Sequence, residues 1–468
     1  MNRHTIERAV DYIKQWFSEK YEEGDVPGMV VAVSHQGDML MNEAYGYADV
    51  ENEKPMEPGH VFRVASHSKT FTATAIMLLV EEGRLRLDDV VVDYVPWLKE
   101  HEDKRWMHVT LRQLLSHGAG VIRDGVDADY WQLERAFPDE ERFIEEMMET
   151  SLILDNNIKM KYSNYGYTLL GMVIERVTGV AYDTFVMERI VQPLGMRNTF
   201  PDYYPEKNQP AENQLVTGYA RYERGGRLPI EAISTHVMAA ATGFCSTTED
   251  LCTYLNAHMI GSGKLLSDES KKAMQRAEWP SFAGRSRDTD TAYGLGFFLS
   301  KYGKQQTFGH SGGFPGCITR SMANGEDGIV VSVLTNAIDG PAEQTLSSIY
   351  NIINYFDAHL SNVAEHGLTR FEGSYVSLWA HIHILAEKDH LISVPAGIWD
   401  PFAATEKLMF VEDDTFRITE TGSGGLEGEL VHFHEENGRV KHMMYQGKTF
   451  WPKADWDERM KDSTKVRL

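Results

Sequence analysis

The chain has 468 residues, of which 42% are hydrophobic, and a formal net charge of −23. One hydrophobic core rarely extends past about 300 residues, so the length predicts a large domain with at least one more, and the apolar content excludes extensive disorder. The acidic balance, without any Lys/Arg-rich run, excludes a nucleic-acid partner. The three cysteines, Cys245, Cys252 and Cys317, form no CxxC pair and are too few for a disulfide framework.

The first predicted element is an amphipathic helix at the N-terminus. Its apolar residues recur every three or four positions, at Ile6, Val10, Ile13 and Phe17. This spacing is helical and unlike the apolar core of a signal peptide. The longest dense apolar run, residues 75–80, is far too short to span a bilayer. We therefore expect no membrane span and a cytoplasmic location, or a periplasmic or extracellular one if a leader was removed.

Strands and helices follow one another through the next part of the chain. Residues 27–50 contain two β-prone runs around a polar turn at residues 35–38, which predicts an antiparallel hairpin. Glycines end two predicted helices, and Thr110 is the predicted N-cap of a third. The other predicted elements are, in chain order, the helices 69–82, 165–178 and 248–259, a polar loop at 280–291, a buried strand at 328–335 and a long helix from Pro341.

The order of these elements predicts the fold class. Helices at both ends, with strands next to each, indicate an α/β (α+β) architecture: an antiparallel sheet flanked by helices, plus an all-helical insertion. After a linker near residue 362, short strands alternate with turns about every ten residues, which predicts a small antiparallel β-barrel. We predict a first domain at residues 1–362 and a second at residues 363–468.

The first motif that could carry chemistry is Ser66-His67-Ser68-Lys69. If a helix begins here, the side chains of Ser66 and Lys69 lie on one face, one turn apart. A serine hydroxyl becomes a nucleophile when a nearby base takes its proton, and a desolvated lysine can be that base. Taken alone, however, this short pattern is better explained by an N-cap serine beside a surface lysine.

The second motif is Tyr162-Ser163-Asn164. A cationic lysine nearby would lower the pKa of the Tyr162 phenol below its usual value of about 10, so that it could act as a general base. The Asn164 amide could orient that lysine and hold a substrate carbonyl. Taken alone, a turn aromatic packed on the core is the simpler interpretation of Tyr162.

The third motif is GHSGG at residues 309–313. Glycines let a strand approach a ligand closely, and His310 could bind or protonate a substrate because histidine titrates near neutral pH. The same letters fit G-x-S-x-G, the nucleophile elbow of α/β-hydrolases, which would make Ser311 the nucleophile. That elbow runs from a strand directly into a helix, and Pro315 stands where the helix would begin, which disfavours this alternative.

Taken in this order, the three motifs resemble those of the class C β-lactamase and D-alanyl-D-alanine carboxypeptidase-like serine hydrolases, which recognise penicillins. The resemblance covers about residues 5–360 and extends to segments between the motifs. These segments are LRQLLSHGAG, YSNYGYTLLGMVIERVTG, IVQPLGMRNT, ATGFCSTTEDLCTYL, YGLGF and VVSVLTNA. The resemblance implies a serine hydrolase that works through a covalent acyl-enzyme.

The resemblance also implies a role for each motif. Ser66 would be the acylated nucleophile, and Lys69 and Tyr162 would share the role of base. Asn164 would position Lys69, and the backbone N–H groups of Ser66 and Gly313 would form the oxyanion hole. The implied substrate-binding residues are Asn164, His310, Ser311, Gly312 and Gly313.

His310 departs from the family pattern, because a lysine is usual at this position in a K-T-G triplet. The triplet His310-Ser311-Gly312 instead resembles the H-x-G of D-aminopeptidases and esterase-like relatives. A histidine is largely neutral at pH 7 and suits a substrate carboxylate poorly. We expect an amide or ester substrate: short peptides with D-residues first, simple esters second and β-lactams last. If the charge of His310 matters, kcat/KM should show a pKa of about 6–7.

The expected partner is a small-molecule or short-peptide substrate. We expect no cofactor and no metal ion, and a homo-oligomer is compatible with the sequence. The alternative from a different functional class is a non-catalytic penicillin-binding sensor. Retention of Ser66, Lys69 and Tyr162 argues against it, because a pure binder has no use for a base.

The C-terminal part, about residues 365–458, resembles the lipocalin-like β-barrel appended to some relatives. The sequence FEGSY at residues 371–375 matches its opening strand. Two histidine pairs alternate along predicted strands, His381 with His383 and His432 with His434. Such same-face histidines are more often solvated than metal-bound, and we interpret both pairs in this way.

Overall fold

The computed structural model describes residues 1–22, 26–204, 214–223, 225–280, 291–361, 367–421 and 425–461. The chain divides into two compact units. One is Asp25–Leu346, and the other combines Met1–Gly24 with Ser347–Leu468. The predicted boundary at residue 362 stays a prediction, and the predicted loop at 280–291 lies almost wholly outside the described residues.

The larger unit is built on an eight-stranded sheet in which each strand pairs antiparallel with its neighbours. The strand order is β3-β2-β1-β12-β11-β10-β9-β8. The strands are β1 (Gly28–His35), β2 (Asp38–Asp49), β3 (Lys54–Pro55), β8 (Ala292–Tyr293), β9 (Phe298–Tyr302), β10 (Gln305–Phe314), β11 (Cys317–Asn324) and β12 (Ile329–Thr335). The strands β1 and β12 are buried along their whole length, as their apolar sequences predict.

Short strands and the helices complete this unit. The paired two-residue strands are β4 (Phe62–Arg63) with β7 (Cys245–Ser246), and β5 (Gly218–Tyr219) with β6 (Pro229–Ile230). The helices are α2 (Ser68–Glu81), α3 (Leu111–Leu115), α4 (Glu140–Glu149), α5 (Asn164–Thr178), α6 (Tyr182–Val186), α7 (Ala239–Thr242), α8 (Thr248–Ala257) and α9 (Asp268–Met274). The helices α3 to α6 form the predicted helical insertion, so the predicted fold class is confirmed.

Local signals account for several of these boundaries. The β1–β2 turn has positive φ at both Gln36 and Gly37, the combination that favours a tight hairpin. Thr110 caps α3 through a capping box, as predicted, because its side chain accepts the Gln113 N–H. Gly179 ends α5 with a φ of 77°, in the left-handed region that glycine adopts without strain.

The smaller unit contains the predicted closed barrel. Its strands are β13 (Gly373–Val376), β14 (His381–Ala386), β15 (Leu391–Pro395), β16 (Glu406–Glu412), β17 (Thr415–Glu420), β18 (Leu430–Glu436), β19 (Arg439–Tyr445) and β20 (Lys448–Pro452). The other α-helices among the described residues are α1 (Arg3–Glu22), α10 (Ala342–His359) and α11 (Lys453–Lys461). An aromatic-rich core that includes Phe371, Phe416 and Phe433 fills the barrel.

The predicted amphipathic helix is α1, and its aromatic residues pack within the smaller unit. The ring of Trp16 lies 6.3 Å from that of Trp399, and the ring of Tyr12 lies 5.6 Å from those of Phe356 and Phe402. Such aromatic contacts add to the burial of apolar surface. Within the described ranges, the helices are all too short or too polar to cross a bilayer.

Candidate active site

Ser66 lies in a short 3-10 turn, Ala65–His67, between β4 and α2. Ala65 has a φ of 46°, in the left-handed region that a residue with a Cβ rarely adopts. Ser68 stabilises this turn, since its Oγ donates to the Ala65 carbonyl at 2.5 Å and accepts the Phe244 N–H at 3.0 Å. The strained turn presents a partly exposed Ser66 side chain at the start of α2.

Lys69 is completely buried one helical turn after Ser66. Its Nζ lies 3.2 Å from Ser66 Oγ and donates to Asn164 Oδ1 at 2.6 Å and to the Ala241 carbonyl at 2.8 Å. Burial holds the pKa of Lys69 well below its usual value, although the Asp124 carboxylate opposes this shift. The alternative of a surface lysine beside an N-cap serine is therefore wrong.

Tyr162 faces the same two side chains from a distant part of the chain. The Lys69 Nζ lies 4.8 Å from the centroid of the Tyr162 ring, and the phenol is hydrogen-bonded to the Ser66 side chain. Burial raises the pKa of Tyr162 above its usual value, and the hydrogen bond to Ser66 only partly opposes this. The predicted lowering of the Tyr162 pKa is wrong, because desolvation outweighs the effect of nearby cations.

Asn164 is the first residue of α5, and its amide is held on both sides. Its Oδ1 accepts from Lys69, and its Nδ2 donates to Asp124 Oδ1 at 2.5 Å. A helix cap also fixes this position, because the Ser163 Oγ accepts the Gly166 N–H at 2.8 Å at the start of α5. The amide therefore has one orientation, with its carbonyl oxygen toward Lys69.

The pair Arg123 and Asp124 belongs to the site although no motif in the sequence pointed to it. The Arg123 carbonyl accepts the N–H of Asn164 at 2.9 Å, and its guanidinium lies 5.3 Å from the Tyr162 ring centroid. Its Nε donates to Asp124 Oδ2 at 3.0 Å. These residues follow the LLSHGAG segment, so proximity to a recognised segment was the available signal.

The GHSGG segment lies within β10, next to the Ala65–His67 turn. A Cβ added to Gly312 would lie 2.1 Å from the Val64 carbonyl oxygen, so only glycine permits this approach of strand to turn. Gly313 is exposed, whereas Ser311 is half-buried. The strand is thus placed so that the Gly313 backbone borders the same region as Ser66.

The strand–helix elbow predicted for a Ser311 nucleophile is absent. After Phe314 the chain turns and returns as β11, with Ser311 opposite Arg320 and Gly312 opposite Thr319 in the antiparallel register. An α/β-hydrolase elbow needs a helix immediately after the nucleophile strand. The alternative that placed the nucleophile at Ser311 is therefore wrong.

His310 is buried in β10 and held at both ring nitrogens. Its Nδ1 lies 2.6 Å from the Ser311 carbonyl, to which Nδ1–H donates, and its Nε2 lies 3.3 Å from the Tyr293 hydroxyl. Burial, reinforced by Lys69, holds the pKa of His310 well below its usual value. A titration of His310 at about pH 6–7 is therefore no longer expected, since the imidazole stays neutral throughout that range.

Two further buried histidines surround the site, and the sequence analysis did not single them out. The ring of His117 lies 4.3 Å from that of Tyr162, and its Nδ1 accepts the Ser163 N–H at 3.2 Å. The ring of His67 lies 6.1 Å from that of His310. Burial lowers the pKa of His67 to about 3 and that of His117 well below its usual value. The site is therefore lined by neutral imidazoles.

Curated relatives are similar in sequence to part of this chain. Protein flp of Staphylococcus aureus (strain MW2) is 29% identical over 210 residues, which are 45% of this chain and 40% of that protein. The human mitochondrial serine beta-lactamase-like protein LACTB is 27% identical over 318 residues, with 54% of this chain and 57% of that protein covered. The chain thus spans only about 40–60% of the length of the curated relatives it matches.

Solved structures share the fold. The octameric penicillin-binding protein homologue from Pyrococcus abyssi has a TM-score of 0.64 and 23% identity, covering 94% of this chain and 99% of that one. The D-amino acid amidase from Ochrobactrum anthropi SV3 has a TM-score of 0.63 and 25% identity, covering 74% of this chain and 99% of that one. The family described as Beta-lactamase matches residues 13–348, well over half of the sequence. The chain therefore belongs to the beta-lactamase family.

Proposed function

We propose that the protein is a serine hydrolase that forms an acyl-enzyme on Ser66 and hydrolyses an amide or ester. The observation that carries the proposal is the environment of Lys69. A neutral lysine amine has two N–H donors and one lone pair. Lys69 Nζ contacts Asn164 Oδ1, the Ala241 carbonyl and Ser66 Oγ, at 2.6, 2.8 and 3.2 Å. When the amine is unprotonated, its two N–H groups can donate to the two closer oxygens, and its lone pair can then accept the Ser66 proton.

The acylation step follows from this arrangement. Ser66 Oγ attacks the substrate carbonyl carbon while its proton passes to the Nζ of neutral Lys69. The carbonyl oxygen becomes negative and accepts hydrogen bonds from the backbone N–H groups of Ser66 and Gly313. Lowering of the Lys69 pKa by burial favours this step, because it increases the fraction of unprotonated amine at a given pH.

Tyr162 completes the proton path as a neutral phenol. Its raised pKa means that it holds its proton, so it can donate to the leaving amine or alcohol as the tetrahedral intermediate collapses. The ammonium of Lys69 then returns a proton to Tyr162, which restores the neutral amine and the neutral phenol. Water attacks the acyl-enzyme in the second half, and Lys69 takes its proton in the same way.

For the substrate we propose a short peptide or amide with a D-residue, then simple esters, with β-lactams as slow substrates. The support is His310, which is buried and neutral where a lysine would offer a fixed charge to a carboxylate. The 25% identity to a D-amino acid amidase is consistent with this order. Assembly into a homo-oligomer and a cytoplasmic location stay predictions.

A fluorophosphonate probe followed by mass spectrometry tests the nucleophile. We expect one adduct on Ser66, no adduct in Ser66→Ala, and an unchanged adduct on Ser66 in the matched variant Ser311→Ala. With a panel of D-amino acid amides, esters and a cephalosporin, Ser66→Ala should lower kcat by at least about 10³-fold. An adduct on Ser311 would contradict the proposal, and labelling of Ser66 without any turnover would favour the non-catalytic sensor.

A further inference from the structure

A cluster of one carboxylate and two imidazoles lies in the smaller unit, independent of the proposed hydrolase site. His381 and His383 are two positions apart on β14, so both side chains project from the same face of the strand. Glu19, from α1, meets them there: its Oε2 lies 2.6 Å from His383 Nε2 and 3.1 Å from His381 Nε2. The predicted solvation of this pair is wrong, since the His383 side chain is only 1% exposed.

We propose that Glu19, His381 and His383 bind a divalent transition-metal ion, for which Zn²⁺ is the best fit. One ligand atom from each of the three residues lies within 4.8 Å of the other two. Among the residues that the structure describes, this is the one group of three such side chains so arranged. Two imidazole nitrogens and a carboxylate oxygen form a ligand set that zinc favours, with a fourth position left for water.

The spacing between Glu19 and each of the two imidazoles suits such an ion. Zinc bonds of about 2.0–2.2 Å in tetrahedral geometry place ligand atoms about 3.3 Å apart. The two contacts of Glu19, at 2.6 and 3.1 Å, are slightly shorter than this. Binding of an ion would therefore lengthen the two Glu19–histidine distances by less than about 1 Å. Rotation of the side chains can supply this movement without a change in the backbone.

The neighbours of His383 also fit a metal ligand. The Tyr12 hydroxyl lies 2.9 Å from His383 Nδ1, and His383 Nε2–H donates to Glu19 Oε2 at 2.6 Å. A bound ion would take the place of that Nε2 proton, and Nδ1–H would then donate to the Tyr12 hydroxyl. Ligating histidines are commonly held by such a hydrogen bond at the second ring nitrogen. On His381, the Ser374 hydroxyl contacts Nε2 at 2.6 Å, and binding of an ion would exchange this contact for a metal bond.

The site has a closed side and an open side. The His383 side chain is buried, whereas Glu19 and His381 retain 13% and 17% of their side-chain exposure. An ion can therefore arrive from solvent, and a bound water can occupy the fourth position. Because Glu19 belongs to α1 and both histidines to β14, the ion would link the helix to the barrel.

Zinc and cobalt titrations of the chelator-treated full-length protein test this proposal. We expect one equivalent of Zn²⁺ to bind in competition with a chromophoric chelator, and Co²⁺ to give the visible absorption of a tetrahedral site. His381→Ala and the near-isosteric Glu19→Gln should each weaken binding by at least about 100-fold. Two variants are used so that a folding defect in one, detected by circular dichroism, leaves the other decisive.

The matched control is His442→Ala. His442 on β19 stacks on His434 on the adjacent strand β18, with 4.3 Å between the ring centroids. The substitution therefore removes an imidazole from the same barrel but outside the proposed metal site. Zinc affinity should be unchanged in this variant. The proposal is overturned if the wild-type chain binds no zinc, if Glu19→Gln and His381→Ala bind as tightly as wild type, or if His442→Ala abolishes binding.

Discussion

Lys69 shows how burial decides the chemistry of a single residue. A lysine on the surface would be charged at neutral pH and unable to accept a proton from Ser66. Here the side chain has no exposed surface, and the three polar atoms around its Nζ provide hydrogen bonds without a carboxylate in direct contact. Asn164 stands between Lys69 and Asp124, so the nearest negative charge acts on the amine only at a distance.

The pH dependence of kcat/KM follows from these residues. Lys69 must be unprotonated to act as base, so activity should be present above its lowered pKa and be lost as pH falls through that value. Because burial keeps His310 neutral, no separate histidine titration is expected between about pH 6 and 7. The measurement is a kcat/KM profile of wild type and His310→Asn with an uncharged ester. An acid limb that moves or disappears in His310→Asn would assign that limb to the histidine and contradict the prediction.

At the scale of elements, β10 and the Ala65–His67 turn depend on each other. The turn carries Ala65 in a left-handed conformation, and the strand reaches it only because Gly312 has no side chain. The close packing of the strand against the turn therefore depends on both elements. Functional geometry of this kind is commonly maintained at some cost in local strain.

Gly312→Ala should therefore disturb both elements. Its Cβ would meet the Val64 carbonyl oxygen at 2.1 Å, which forces the strand away from the turn and destabilises the fold by about 1–3 kcal/mol. We expect a lower melting temperature and a loss of kcat of at least about 10-fold. Gly313→Ala is the matched control for stability, because its Cβ would lie 3.6 Å from Ile318 Cδ1, in ordinary contact. Equal melting temperatures for the two variants would refute this account.

Elements with local signals could be predicted from the sequence, whereas tertiary contacts could not. The helices α2 and α5 follow from apolar spacing and a terminal glycine, and the structure places Lys69 of the first motif beside Ser66 and beside Asn164 of the second. The contribution of Asp124 could not be seen, because it depends on which loop the fold brings to Asn164. The raised pKa of Tyr162 was missed for a related reason: sequence shows the neighbouring charges but not the loss of solvent.

At the scale of the whole molecule, buried histidines make the fold sensitive to acid. Burial lowers the pKa of His67 and His258 to about 3, and holds those of His117 and His310 well below the usual value. In the unfolded chain these imidazoles titrate at about 6.5. Below that pH the unfolded chain binds more protons, so the free energy of unfolding decreases as pH falls toward the folded-state pKa.

Urea unfolding at a series of pH values measures this effect. We expect the unfolding midpoint to decrease from pH 7 to pH 5, with each such histidine contributing up to about 1.4 kcal/mol per pH unit below 6.5. His258→Gln should make the unfolding midpoint less dependent on pH, because this variant lacks one protonation site. His4→Gln, at an exposed position, should leave it unchanged. A midpoint that is constant from pH 7 to pH 5 would contradict the prediction.

One compact unit combines Met1–Gly24 with Ser347–Leu468, and this arrangement has a consequence for biosynthesis. During translation α1 leaves the ribosome long before the barrel strands that share its unit. Trp16 and Tyr12 of α1 can pack against Trp399 and Phe402 only after those residues have been synthesised. The unit can therefore be completed only after the last barrel strand, β20 (Lys448–Pro452), has been made. An isolated barrel fragment that begins near residue 363 would lack its first helix, and supplying residues 1–24 as a separate peptide should restore the missing contacts.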